Sequence, residues 1–132
     1  MRYKSKTLFA FTALGGLVLG VGLSLVVVHQ MNADLTNSLV GLWQFPEAAV
    51  WIRVKPDGTF LQCRSTHGMF VALGTATLKA NREINWDIPE WATEIVSSSG
   101  GKLRLSRPDK IDIYTTPTRQ PGPECKSKLG LD

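Results

Sequence analysis

No charged residue occurs between Thr7 and Val28, and that run limits the chain more than any other feature. As a helix its residues would rise roughly 33 Å, enough to cross a hydrocarbon core about 30 Å thick. Arg2, Lys4 and Lys6 precede the run, and no Lys or Arg follows it until Arg53. This asymmetry predicts a cytoplasmic N-terminus and an extracytoplasmic remainder. A cleaved secretory peptide would need a shorter apolar core and a small-x-small site. Met31-Asn32-Ala33 offers a large Met there, so an uncleaved anchor is preferred, with cleavage as the alternative. Either way, residues from about 30 onward are exported. The expected location is that of a single-pass membrane protein whose C-terminal domain faces a bacterial periplasm.

Within the run, Thr12, Gly16, Gly20 and Ser24 recur every four residues. Small residues on one helix face allow close pairing, so a dimer through Gly16 and Gly20 is one reading. The other is that glycine is simply common in membrane segments.

Of fifteen Lys and Arg, three precede the apolar run, leaving twelve against eleven Asp and Glu in the remainder. That near balance offers no basic stripe for nucleic acid. The sequence divides into a membrane segment (1–28), a polar linker (29–38), a β-domain (39–115) and a tail rich in proline and charge (116–132), expected to run extended. Asp34 or Asn37 is a candidate cap for a brief helical turn in the linker.

The β-domain is written as short alternating runs separated by turns. In "KPDGT", Pro56 presets the backbone for a type I turn, Asp57 bonds neighbouring amides, and Gly58 supplies a positive φ. A three-residue loop there, preferred over a two-residue register that would group Val50, Ile52, Val54, Leu61 and Cys63, sets Val54 opposite Phe60 and Ile52 opposite Gln62. Val50, Ile52, Val54 and Phe60 then share the buried face, with Trp51, Leu61 and Cys63 on the other. Thr66-His67-Gly68 is the next turn, and Gly74 within the following strand suggests a bulge or bend. "EINWDI" places Ile84, Trp86 and Ile88 on one face. "WATEIVS", "KLRLS" and "IDIYT" complete about eight strands. Successive hairpins predict a mainly β fold, an antiparallel up-and-down meander closing into a small barrel.

"LVGLWQF", with Gly41 and Trp43, resembles the G-x-W opening of lipocalin-like barrel domains. "VKPDGTF" is similar to a hairpin common in small bacterial members of that class. The resemblance covers residues 39 to 115 and implies a barrel whose closed end is packed by Trp43. Shorter strands and no evident terminal helix distinguish this chain from full-length members.

Cys63 and Cys125 form an even pair in an exported domain, which predicts one disulfide. Closing that loop would stabilise the fold by roughly 4 kcal/mol on the chain-entropy model and clamp the tail to the sheet. Intermolecular pairing through Cys125, or two free thiols, are the alternatives. Cys63, His67 and Met69 are soft donors, as are His29 and Met31, but an oxidised Cys63 is no thiolate ligand, and no metal or other cofactor is expected. Neither histidine has a placed catalytic partner, and Glu83, Asp87, Glu90 and Glu94 read as solvated surface, so no catalytic residues are assigned.

The expected activity is therefore binding. One reading is a small apolar ligand in a pocket lined by Ile52, Val54, Phe60, Phe70, Leu73 and Trp86, with Arg53 or Arg104 at its mouth. The other is an interaction module of a cell-envelope complex, its surface docking a protein partner through an exposed Trp51.

Overall fold

The KPDGT hairpin forms in the expected register. The Lys55 N–H donates to the Thr59 carbonyl (2.9 Å) and the Gly58 N–H to the Lys55 carbonyl (3.0 Å), while Gly58 takes a φ of 88°. The Asp57 carboxylate accepts the Thr59 N–H at 3.0 Å, and its bonds to Thr59 hold it below the usual carboxylate range. Val54 accordingly faces Phe60, and Ile52 faces Gln62.

The computed structural model describes residues 33–131. The apolar segment 7–28, its orientation and its pairing through Gly16 and Gly20 lie outside those residues. No helix among the described residues is long and apolar enough to cross a membrane.

Two antiparallel sheets of four strands carry the fold. The first runs β1 (Gly41–Phe45), β2 (Val50–Val54), β3 (Thr59–Thr66) and β4 (Met69–Thr77) in sequence order. The second runs β5 (Glu83–Ile84), β6 (Glu94–Ser99), β7 (Lys102–Arg107) and β8 (Lys110–Tyr114). Their inner faces enclose one core of Leu39, Trp43, Ile52, Val54, Phe60, Ala76, Ile84, Trp86, Val96, Leu103, Leu105 and Tyr114. Burying each large aliphatic side chain of that set stabilises the fold by about 1.5–3 kcal/mol relative to leaving it exposed.

The expected closed barrel is not what forms. Between β1 and β8 there is a single bridge, Gln44 with Thr115, made by two backbone hydrogen bonds of 2.8 and 2.9 Å. Continuing its antiparallel register would set Pro46 opposite Ile113 and Pro117 opposite Leu42. Proline has no N–H to give, so the ladder stops on both sides of one pair. At the other seam β5 has only two residues, and the Asp87 N–H and carboxylate bond the Thr75 carbonyl (2.9 Å) and N–H (2.8 Å) in place of a strand. The result is two sheets face to face rather than a cylinder.

Three further expectations change. The bulge lies at Val71, not Gly74: Arg64 pairs with Ala72 and Ser65 with Phe70, leaving Val71 as the extra residue. Gly74 is needed for packing, because a Cβ there would lie 2.3 Å from Cζ3 of Trp91. The segment expected as linker is helical over 33–39, here α1, and sends Leu35 and Leu39 to the core. Its carbonyl at Leu39 accepts the Trp43 indole N–H at 2.7 Å. The tail, finally, is not extended throughout. Pro123–Lys128 form a helix, α2, with Pro at its start, Glu124 in its first turn and Lys126 and Lys128 in its last.

Candidate functional site

The second sheet has two very different faces. Its inner face ends in ionisable groups: Arg107 is reached in step from Leu103 and Leu105, Asp112 from Tyr114, and Glu94 from Val96. The Arg107 guanidinium lies 3.3 Å from Glu94 and 3.6 Å from Asp112, bridging β6 and β8. Glu94 Oε1 also accepts the Trp86 indole N–H at 2.8 Å. From the first sheet, Arg64 donates to Gln62 Oε1 at 2.7 Å and stacks 3.8 Å above Trp91, which packs edge-on to Trp86.

Burial pushes the Glu94 carboxyl above its ordinary value, against the indole bond and the Arg107 charge, which pull it down. Burial likewise raises the Tyr114 phenol and lowers the Arg64 guanidinium. Arg107 pairs both carboxylates, and removing one member of such a buried set costs more than the whole set contributes. The Arg107–Asp112 pair lies on the inner side of β8.

Among the described residues nothing covers the outer face of the same sheet. Ile95, Ser106 and Ile111 form one cross-strand row, and Ser97, Arg104 and Ile113 the next. Ile95, Ile111 and Ile113 are 43%, 51% and 41% exposed. Lys102 and Arg104 share this face, and neither has an ion-pair partner among the described residues. The Arg104 Nε is buried and makes no hydrogen bond among them. Two hollows flank Ile113. One, about 300 Å³, is lined by Ser99, Gly100, Lys102, Arg104 and Ile113. The other, about 350 Å³, lies between β8 and the Pro46–Glu47 turn.

The first sheet's outer face is covered instead. The Gln44 side-chain carbonyl accepts the Thr118 and Arg119 backbone N–H groups (2.8 and 3.1 Å), turning the chain after β8 across that face. Cys63 and Cys125 are joined in a disulfide, which fastens α2 over Trp51, and Leu129 is fully buried beside them. The Arg53 guanidinium donates to the carbonyls of Leu129 (2.8 Å) and Gly130 (3.0 Å). A hollow of about 250 Å³ remains beside Trp51, Phe70 and Arg119, but the unpaired Trp51 indole N–H is itself sealed from solvent.

The residues expected to share one pocket therefore occupy three surfaces. Ile52, Val54, Phe60 and Trp86 are in the inter-sheet core. Phe70 and Leu73 pack under α2, on one face because the Val71 bulge shifts the alternation. Arg53 holds the end of α2, and Arg104 lies on the second sheet's outer face. Trp51 is 3% exposed, so the exposed indole expected for docking is absent. Glu94, expected at the surface, is 4% exposed. Its position two residues before Val96 was the signal that it points inward.

No protein-family model matches the chain, and no curated protein or solved structure matches it either.

Proposed function

We propose that this protein is a non-enzymatic accessory domain, tethered on the outer side of a cell-envelope membrane, that docks a protein partner on its second sheet. One observation carries the reading. The apolar interior is occupied by its own side chains, whereas Ile95, Ile111 and Ile113 lie exposed on a face that no helix or tail among the described residues covers. Apolar groups grouped with polar and charged neighbours mark interaction surfaces more often than isolated exposed side chains do. Tethering is supported by the uncharged run 7–28 in the sequence, and export by the Cys63–Cys125 disulfide, a bond that persists in oxidising compartments.

The test places benzoylphenylalanine at Ile95 in the full chain, expressed in its own cells, with the same probe at Lys126 on α2 as control. A discrete protein adduct from position 95 and none from 126 is expected. No adduct from 95, together with a stoichiometric small molecule on the purified protein by native mass spectrometry, would overturn docking in favour of the apolar-ligand reading.

A further inference from the structure

The backbone of β8 adds something that the exposed isoleucines alone do not. Thr115 turns its N–H and carbonyl outward to Gln44. By strand alternation the N–H and carbonyl groups of Ile113 and Ile111 point off the same edge, away from β7. Pro46 stands where the next pairing residue would be, and neither isoleucine has a backbone partner on that side among the described residues. An edge of this kind is a template for a further strand.

The neighbouring charges specify what fits. Asp112 is occupied by Arg107 and Lys110. Lys102 and Arg104, which flank Ile113 on the outer face, have no ion-pair partner among the described residues. An added strand would bond Ile111 and Ile113 through its main chain. Every second side chain of that strand would lie on the outer face toward the two cations, and those between would turn to the other side, where Phe45 and Pro46 line the hollow.

We infer that the free edge of β8 receives an extended segment of a partner protein in which aliphatic and acidic residues alternate. Main-chain bonds to Ile111 and Ile113 hold the segment, and its carboxylates face Lys102 and Arg104. This rests on the docking reading above, and names the segment of the partner and the edge that takes it.

Two fluorescein-labelled hexapeptides, alternating valine with glutamate and valine with lysine, are titrated by anisotropy against the full chain in detergent. The glutamate peptide is expected to bind and the lysine peptide not. Ile113→Pro removes the outward N–H together with the isoleucine side chain and should weaken binding at least about tenfold, as loss of one or two hydrogen bonds would. Lys102→Glu with Arg104→Glu should reverse the preference between the peptides.

Equal binding of both peptides, no binding of either, or binding indifferent to both variants would overturn the inference. So would a concentration-dependent dimer in sedimentation velocity that Ile113→Pro abolishes, since a second copy would then occupy the edge. If Ile113→Pro disturbs the near-ultraviolet circular dichroism, the charge-reversed pair decides alone. Failure here with the Ile95 adduct intact removes strand addition and leaves docking standing. Loss of both removes the docking reading itself.

Discussion

The two sheets use the same number of strands and share one core, yet their outer faces are finished in opposite ways. The first sheet turns Trp51, Cys63, Leu61 and Leu73 outward, and the chain returns to cover them with α2. The second turns serine, lysine and arginine outward among three isoleucines, and nothing among the described residues covers them. Apolar area buried on one face is stability, whereas area left open on the other is available for binding. A face that the fold needs should respond strongly to substitution, and one kept for a partner should not.

The disulfide offers the largest contrast. Cys63→Ser with Cys125→Ser should lower stability by about 4 kcal/mol in urea unfolding, since a long loop is released. It should also shift Trp51 emission to the red as α2 lifts. No red shift would show that the cover holds without its covalent fastening. Leu129→Ala, at a fully buried site under the same cover, should cost about 3 kcal/mol. Arg53→Met removes two bonds to the end of α2 and should cost about 2 kcal/mol by the same measurement.

The shared interior supplies a pH signature. The Glu94 carboxyl is raised in the folded protein, so the native state holds that proton more tightly than the unfolded chain does. The associated stability is complete below the unfolded carboxyl value near 4.3 and is lost as pH rises through the folded value. Glu94→Gln removes this slope, so wild type should lose ground to the variant as pH increases across that window. Parallel pH profiles would show that Arg107 compensates the charge fully.

The smallest effect belongs to the bare face. Ile95→Ser and Ile111→Ser should each change stability by no more than about 0.5 kcal/mol. A loss near that of Leu129→Ala would mean that the face is structural after all, and the contrast between the sheets would fail.

Much of the fold was legible because its signals are local. Proline, aspartate and glycine at 56–58 set the register of β2 on β3, and alternation separated Ile52 from Trp51. The α2 helix leaves a local signal too: Pro123 suits a first helical turn, and Gly130, at φ 71°, suits a helix end. The candidate site was less accessible. Arg104 stood out in the sequence, but Ile111 and Ile113 look like any alternating strand until it is known which edge they occupy. The Val71 bulge, which moves Phe70 and Leu73 onto one face, leaves no mark in composition.

The sequence by itself determined the turns, the alternation of the strands and the cysteines available to be joined, because each depends on residues a few positions apart or on a count. Only the tertiary structure decided that the meander stays open and which strand is left as a free edge. Those outcomes depend on Pro46 meeting β8 and Pro117 meeting β1, partners brought together by folding from more than sixty positions apart.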